Sequence, residues 1–240
     1  MRSEANPLIE HLHMEQVEGY FAPLPCLLYR WNQEDSAKGG AAIDVAEGTE
    51  VYAVVNGVQH ERDLIGCEAA AITTQVAIQR LQPDIVISSG TCGGWQRYGG
   101  IVGQPYIANG VMFHDRRVPG DNLWDTQGLG NYAVWEGSQQ IAEALGLPMG
   151  KVTTGSSFDL SAEEDKTIDD NGGTLKEMEG AAVAFVCSLY SIPVMLVKAI
   201  TNLRDSTEEE DIDAFQRNLK MASANLKEVN IKIIEQISHK

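Results

Sequence analysis

The chain has 240 residues and a formal net charge of -16, with 43% hydrophobic and 22% charged residues. A chain of this length can bury a large core, and we expect one domain over residues 1–240. The negative charge argues against binding to nucleic acid or to an anionic membrane surface. No apolar run reaches the ~20 residues of a membrane span, and the first residues lack an apolar signal segment, so we expect a cytoplasmic protein.

The four cysteines are widely spaced in apolar surroundings, at Cys26, Cys67, Cys92 and Cys187. Their spacing matches no zinc site, so we interpret them as buried free thiols in a reducing compartment. The sequence therefore predicts neither a metal ion nor a cofactor.

Strand-like and helix-like segments alternate along most of the chain, which predicts an α/β fold with a mixed central β-sheet flanked by helices. Short apolar runs indicate strands within residues 26–32, 51–57, 84–94, 104–115, 150–160 and 193–200. The strand within 84–94 is expected to end in a glycine turn.

Helices are predicted between and after these strands. Residues 63–82 are rich in small side chains and should form a helix that ends before Pro83. A second helix is expected over 131–147, with Gly146 at its C-terminal cap. The nearly uncharged stretch 180–189 must be a buried helix.

The last helix has an apolar stripe with three- and four-residue spacing, and Ser206 or Thr207 can cap its start. The stripe consists of Ile212, Phe215, Leu219, Ala222, Leu226, Val229, Ile233 and Ile237.

The segment SSGTCGG, at 88–94, follows a buried strand. Its glycines would let main-chain N–H groups approach a ligand closely, as in anion-binding nests. The segment lacks the lysine of a Walker loop and the spacing of a dinucleotide-binding loop. A tight turn without a ligand is the alternative.

Acidic side chains form the next candidate sites. Glu177 and Glu179 are two residues apart, so in an extended segment both point to the same side, against the apolar stretch that follows. They either complement the N-terminus of that helix or accept hydrogen bonds from sugar hydroxyls. Glu4, taken alone, is typical of an exposed acid at a helix start.

Asn202 follows an apolar strand, at the edge where ligands of α/β sheets usually bind. Its amide can donate a hydrogen bond but cannot transfer a proton. The charged residues 114–117 can form a charged loop, an interface or a lining for the site of a neighbouring subunit.

Five segments occur in a characteristic order: SSGTCGGW, VMFHDRRVP, TGSSFDLS, LKEMEGAAVAFV and VKAITNLRD. Together they resemble the 5′-methylthioadenosine/S-adenosylhomocysteine nucleosidases, especially the plant-type members, within the purine nucleoside phosphorylase/uridine phosphorylase superfamily. The resemblance is weak before Val51 and strong from Ile65 to Asp205. It implies cleavage of the N-glycosidic bond of a purine nucleoside such as 5′-methylthioadenosine.

The resemblance also implies roles for individual residues. Glu4 matches the carboxylate that handles the attacking water, and Glu179 matches the residue that holds the ribose hydroxyls. The other implied substrate contacts are Thr91 and Gly93 at the floor of the site, Glu177 and Met178 beside the ribose, Ser157, Phe158 and Thr201 around the base, and Ile65 with Phe113 and Pro119 of a second copy around the 5′-substituent. The contribution of a second copy implies a homodimer.

Water is the expected nucleophile, with phosphate as the alternative. A phosphate nucleophile needs cationic groups. Phosphorylases of the superfamily place arginines where this chain has Ser88 and Glu4, so the resemblance favours hydrolysis.

The chain departs from the family pattern at Asn202, where the family has the aspartate that protonates N7 of the purine. The base can be a 6-oxopurine, with the amide donating to O6. Alternatively, the residue is a substitution that traps a ligand, or the protein binds nucleosides without turnover. In a fourth interpretation, the protein is an adenine-releasing nucleosidase in which Asp205 or water supplies the proton to N7.

Met1 matches the end of the first strand of the family pattern. Because loss of a central strand would expose the backbone groups of its neighbours, we expect the native protein to carry several residues before Met1.

Overall fold

The computed structural model of the chain describes residues 1–32, 43–120, 122–205 and 211–239. Within these ranges the strands are β1 (Glu15–Gln16), β2 (Leu27–Trp31), β3 (Val51–Val55), β4 (Val58–Gln59), β5 (Arg62–Asp63), β6 (Val86–Gly94), β7 (Pro105–Phe113), β8 (Met149–Thr154), β9 (Leu175–Glu177) and β10 (Val194–Leu203). The helices are α1 (Arg2–His11), α2 (Cys67–Leu81), α3 (Asn122–Leu129), α4 (Ser138–Leu145), α5 (Ala162–Asp170), α6 (Gly180–Tyr190) and α7 (Asp211–Ser238).

Five strands form a closed barrel in the order β10–β6–β9–β8–β7. β10 runs parallel to β6, β6 runs antiparallel to β9, and β9, β8 and β7 are parallel to one another. β7 and β10 pair antiparallel and close the barrel. This arrangement confirms the predicted α/β fold with a mixed central sheet. Closure was not predicted, because apolar runs give strand positions but not the pairing of the first and last strands.

The prediction of a glycine turn directly after the strand at 84–94 is wrong. β6 continues through the glycines and pairs with β10 as far as Gly94, opposite Leu203. A Cβ on Gly94 would lie 2.5 Å from Cδ1 of Ile200, so glycine is what allows the two strands to approach here. The chain turns only afterwards, in a 3₁₀ helix at Gln96–Tyr98.

Two of the predicted helix ends are correct. α2 ends before Pro83, and Gly146 caps α4 in the left-handed conformation with φ of +64°. α4 begins only at Ser138, later than predicted. The preceding segment pairs with the barrel instead, because Tyr132 exchanges main-chain hydrogen bonds with Val111 of β7.

Helices cover the outside of the barrel. α2 packs on α6, and α7 packs on β10 and α1. Ala222 and Ile233 of α7 are fully buried, which agrees with the predicted apolar stripe, although Ile212 at its start is 55% exposed. The predicted caps Ser206 and Thr207 lie outside the described residues.

Among the described residues, no helix is both long and apolar enough to cross a membrane. In the same part of the chain, no group of three or more His, Cys, Asp or Glu side chains is placed to hold a metal ion. All four cysteines are free. Cys26, Cys92 and Cys187 are buried as predicted, whereas Cys67 is half-buried.

Candidate active site

Thr201 forms a β-bulge near the end of β10. Ile200 lies opposite Cys92 and Asn202 lies opposite Gly93, so Thr201 is an extra residue in the register. The Thr201 hydroxyl is 3.1 Å from the carbonyl oxygen of Cys92 and 2.9 Å from the carboxamide oxygen of Asn202. A bulge re-aims the side chains that follow it, and here Thr201 and Asn202 are both buried.

Gly93 leaves room for the side chains that follow the bulge. A Cβ on Gly93 would lie 2.9 Å from Cδ of Arg204 and 3.5 Å from Nδ2 of Asn202. The amide nitrogen of Asn202 therefore faces Gly93, while its oxygen faces Thr201.

Glu4 reaches from the first turn of α1 to the wall of the barrel. Its Oε1 accepts hydrogen bonds from the hydroxyl of Thr91 (2.6 Å) and from the main-chain N–H of Thr91 (2.7 Å). Its Oε2 is 2.5 Å from the α-ammonium group of Met1, and only 13% of its side chain is exposed. Glu4 does lie at a helix start, but it is not the exposed acid that its position alone indicates.

The charge state of Glu4 suits a proton acceptor. Burial alone would raise the pKa of Glu4, but the α-ammonium of Met1 and the hydrogen bonds from Thr91 outweigh burial and lower the pKa. The two hydrogen bonds from Thr91, which do not depend on the chain terminus, favour the ionised carboxylate that a general base requires.

Glu177 is enclosed by donors from the protein itself. Its carboxylate accepts hydrogen bonds from the hydroxyl of Thr154, the main-chain N–H groups of Glu179 and Gly180, and the ammonium of Lys198. The two oxygens thus complement the N-terminus of α6. This geometry agrees with the helix-start alternative for Glu177.

Glu179 occupies a different environment from Glu177. Its Oε1 accepts a hydrogen bond of 2.7 Å from the main-chain N–H of Gly66, at the start of α2. Burial, followed by the negative charges of Glu177 and Glu4, raises the pKa of Glu179, against the effect of Lys198. A buried carboxylate in this position gains stability from any additional donor, such as a ligand hydroxyl.

Lys198 is a functional candidate that sequence reasoning missed. It lies in the middle of β10, is only 3% exposed, and forms an ion pair of 2.9 Å with Glu177. A Cβ on Gly90 would lie 3.3 Å from Oε1 of Glu4 and 3.6 Å from Nζ of Lys198, so both groups face the same side of β6. Burial alone would lower the pKa of Lys198, but the charges of Glu177 and Glu179 raise it.

Asp205 is engaged away from Asn202. Its carboxylate accepts hydrogen bonds from the main-chain N–H groups of Gln96 (2.7 Å) and Arg97 (3.0 Å). Burial alone would raise the pKa of Asp205, but these hydrogen bonds outweigh burial and lower it. A more acidic, already bonded carboxylate is a poor proton donor at neutral pH, so the interpretation in which Asp205 supplies the proton loses its support.

The segment that contains Phe158 is held from several sides. The ring of Phe158 packs edge-on against the ring of Phe215, with centroids 5.6 Å apart. Asp115 accepts a hydrogen bond of 2.7 Å from the main-chain N–H of Ser156. Ser157 is exposed, and its carbonyl accepts a hydrogen bond from Lys176.

The residues expected around the 5′-substituent are more widely distributed. Phe113 is buried and lines a groove of about 400 Å³ together with Cys67 and Phe185. Ile65 is 51% exposed and Pro119 is exposed. Ile65 and Pro119 are not among the residues that line this groove.

His114, which lies between Phe113 and Asp115 in the chain, is buried. Neither of its ring nitrogens has a hydrogen-bond partner among the described residues. A Cβ on Gly155 would lie 2.2 Å from its Nε2, so the ring packs directly on the backbone of that glycine. Burial, followed by the positive charge of Lys176, lowers the pKa of His114 to about 4.

The structure therefore brings remote parts of the sequence to one end of the barrel. The hydrogen bonds, register and charge interactions described above connect Glu4, Thr91, Gly93, Glu179, Lys198, Thr201 and Asn202. Met178 is half-buried beside them, and its carbonyl accepts a hydrogen bond from the thiol of Cys67.

The fold agrees with comparisons to known proteins. A family model described as the Phosphorylase superfamily matches residues 34–235, and the chain belongs to this superfamily. Glu4 precedes the matched region, so its position is known from its contacts with Thr91 rather than from the family match.

Two relatives from Arabidopsis thaliana are similar to the chain. A 5′-methylthioadenosine nucleosidase is 38% identical over 176 residues, which cover 73% of this chain and 65% of the relative. A 5′-methylthioadenosine/S-adenosylhomocysteine nucleosidase is 36% identical over 176 residues, which cover 73% of this chain and 68% of the relative. The match thus spans about two thirds of the length of these relatives.

A solved structure supports the same relationship. The apo form of the Arabidopsis thaliana 5′-methylthioadenosine nucleosidase superposes with a TM-score of 0.90 and 32% sequence identity, covering 100% of this chain and 93% of that chain. These findings confirm the resemblance that the five sequence segments indicate.

Proposed function

We propose that this protein is a purine nucleosidase, which hydrolyses the N-glycosidic bond of 5′-methylthioadenosine and related nucleosides. The observation that carries the proposal is a set of connected polar groups: Thr91 binds Glu4, and the charge of Glu4 acts on Glu179. Asn202 lies opposite Gly93, two residues further along β6 from Thr91. The Arabidopsis relatives are named for this activity.

Each group has a chemical task in this reaction. The ionised carboxylate of Glu4 accepts a proton from a water molecule that attacks the anomeric carbon of the ribose. The bond from this carbon to N9 of the purine breaks, and the departing base takes its proton from a second water molecule. Glu179 accepts hydrogen bonds from the ribose hydroxyls. Burial removes water from this carboxylate and raises its pKa, and the hydroxyls would replace the lost hydrogen bonds. Phe158 offers an aromatic face for the purine.

The charges at the site favour water over phosphate as the nucleophile. Glu4 is an anion and would repel phosphate. Lys198 is a buried cation on the same side of β6, but its charge is already paired with Glu177 at 2.9 Å. A phosphate dianion needs cationic groups or strong hydrogen-bond donors. Because the charge of Lys198 is neutralised by Glu177, Lys198 is a poor binding partner for phosphate.

Asn202 supports a second candidate within the same class of enzyme. Its amide nitrogen lies near Gly93, and its oxygen is 2.9 Å from the hydroxyl of Thr201. A donor suits the O6 carbonyl of a 6-oxopurine, whereas protonation of N7 in an adenine nucleoside needs an acid. A nucleosidase for 6-oxopurine nucleosides is therefore the second candidate. If Asn202 leaves the protein without any proton donor for the base, the protein binds nucleosides without cleaving them.

We also propose that the protein is a homodimer. α6 presents Phe185, Leu189 and Tyr190, and the neighbouring α2 presents Ile72, with exposures between 38% and 65%. Because α2 packs on α6, these exposed apolar side chains occur on two neighbouring helices, and clustered exposed apolar side chains mark an interaction site. The open surroundings of Ile65 and the groove at Phe113 support a pocket that a second copy completes.

A cytoplasmic location is part of the proposal. It is supported by the four free thiols, because free cysteines persist in a reducing compartment.

One assay tests the function. The protein is incubated with 5′-methylthioadenosine, S-adenosylhomocysteine, adenosine and inosine, with and without phosphate, and the free base and sugar are measured. Free sugar without phosphate supports hydrolysis. A sugar 1-phosphate would overturn it in favour of phosphorolysis, and binding without either product would identify a nucleoside-binding protein. Preference for inosine would select the 6-oxopurine alternative.

A further inference from the structure

Lys176 is a buried cation that faces main-chain carbonyl groups. It lies in the middle of β9 and is 5% exposed. Its Nζ is 2.6 Å from the carbonyl oxygen of Ser157 and 3.1 Å from the carbonyl oxygen of Phe158. A buried ammonium is costly unless it is bonded, so these contacts join the segment with Phe158 firmly to the barrel wall.

The two carbonyls fix the direction of the peptide groups to which they belong. In a trans peptide the N–H points opposite to the carbonyl. Because the carbonyls of Ser157 and Phe158 point towards Lys176, the N–H groups of Phe158 and Asp159 point away from it. A cation bound to the carbonyl polarises the peptide and strengthens its N–H as a donor.

Other contacts restrain the same segment but carry no positive charge. Asp115 accepts a hydrogen bond from the N–H of Ser156, and Phe158 packs on Phe215. Lys176 thus supplies a positive charge to the two peptide groups beside the aromatic ring.

We propose that Lys176 is a positioning residue for the purine. Its ammonium holds the carbonyls of Ser157 and Phe158 and so aims polarised N–H groups of Phe158 and Asp159 at acceptor atoms on the edge of the base. This inference rests on the proposed function, since it requires that the base lies against Phe158.

The surroundings of Lys176 make this interaction sensitive to pH. Burial, followed by the positive charge of Arg204, lowers the pKa of Lys176 to about 8, and the carboxylates of Glu164, Asp159 and Glu177 oppose the shift. The neutral ring of His114 also faces this group. Above pH 8 the neutral amine still donates hydrogen bonds, but charge-assisted bonds are roughly twice as strong, so binding of the base should weaken as the pH rises.

The experiment compares Lys176→Met and Lys176→Arg with the wild-type protein. Lys151→Met is the matched control, because Lys151 is also partly buried but binds Asn131 and Asn171. The measurements are kcat and KM for 5′-methylthioadenosine and calorimetric binding of adenine, from about pH 6.5 to about 9.5, a range that brackets the pKa of Lys176. Hydrogen exchange of the amides at 156–160 reports on the segment itself.

The wild-type KM should rise through pH 8. Lys176→Met should raise the KM about tenfold, as expected for loss of hydrogen bonds to a charged group, change kcat much less, and remove this pH dependence. Lys176→Arg should restore most of the affinity, and Lys151→Met should leave the KM and its pH profile as in the wild type.

The proposal is overturned if Lys176→Met keeps the wild-type KM and pH profile, even if its Tm falls, because a merely structural role would give that result. It is also overturned if only kcat decreases. If the wild-type protein neither cleaves 5′-methylthioadenosine nor binds adenine, the proposed function has failed and the role of Lys176 fails with it. If the wild-type protein turns over 5′-methylthioadenosine and Lys176→Met has the same KM and pH profile, only the role of Lys176 is overturned and the proposed function stands.

Discussion

Glu4 and Thr91 are 87 positions apart in the chain, yet a single oxygen of Glu4 accepts both the hydroxyl and the main-chain N–H of Thr91. The two bonds orient the carboxylate and support its ionised state. They also attach α1 to β6, so the first helix is part of the proposed site rather than a peripheral element.

Glu4→Gln should abolish most turnover while leaving the protein folded and able to bind adenine. The amide keeps the size of the side chain and can still bond to Thr91, but it cannot accept the proton of water. We expect kcat for 5′-methylthioadenosine to fall by ~10²–10⁴-fold, the usual contribution of a general base. Glu10→Gln, at an exposed position of the same helix, is the control. Survival of turnover in Glu4→Gln would remove Glu4 from the mechanism.

Asn202→Asp should increase the release of adenine from 5′-methylthioadenosine by at least ~10²-fold, because it provides a group that can protonate N7. The initial rate of adenine formation is the measurement. Asn6→Asp makes the same change of charge at an exposed position of α1 and should not alter the rate. An unchanged rate in Asn202→Asp would show that the proton comes from another group.

Lys198→Met should destabilise the protein strongly, because it leaves Glu177 buried without its cation. Breaking a buried ion pair costs about 3–5 kcal/mol of the free energy of unfolding, which denaturant unfolding measures. Adding Glu177→Gln to Lys198→Met should recover part of this loss. If the double variant is no more stable than Lys198→Met, the two charges do not interact as the 2.9 Å distance indicates.

His114 should make the folded state sensitive to mild acid. The unfolded chain protonates this residue near pH 6.5, whereas the folded protein does so only near the lowered pKa of about 4. Its contribution to stability is therefore complete above pH 6.5 and is lost as the pH falls towards 4.

The comparison of the wild type with His114→Phe isolates this contribution. Relative to the variant, the wild type should lose on the order of 3 kcal/mol of unfolding free energy between neutral pH and pH 4. His11→Gln, at an exposed site, should retain the wild-type pH dependence. If the unfolding free energies of the wild type and His114→Phe change with pH in parallel, His114 is not the group whose protonation destabilises the folded state.

Phe185→Glu should disrupt the proposed homodimer, because it places a charge in the apolar surface of α2 and α6. Sedimentation velocity should show a monomer, and turnover of 5′-methylthioadenosine should fall because a second copy no longer completes the pocket. Ile101→Glu changes an apolar residue that is 62% exposed elsewhere and should remain dimeric. A wild-type protein that is monomeric at micromolar concentration would refute the interface.

The strand that leads to Asn202 could be predicted because apolar runs indicate buried strands and polar residues mark their ends. The continuation of β6 through its glycines could not, because glycine is typical of turns and its role here depends on the close approach of Ile200. The bulge at Thr201 also escaped prediction, since it is a property of strand register.

The roles of Glu177 and Lys198 show a second limit. Two carboxylates separated by one residue are equivalent in sequence, but one meets Lys198 and the start of α6 and the other meets Gly66. Lys198 itself was visible as a lysine within an aliphatic strand, which is a signal because a buried charge needs a partner. Its partner could not be identified without the fold.

The closure of the barrel has a consequence for association. Because β7 pairs with β10, each of the five barrel strands has a bonded neighbour on both sides. Another polypeptide can add a strand only to an unpaired edge strand. None of these five barrel strands is an edge strand, so none of them can pair with an added strand. Contacts between copies of this chain at these five strands must instead be made by side chains, not by main-chain pairing of strands.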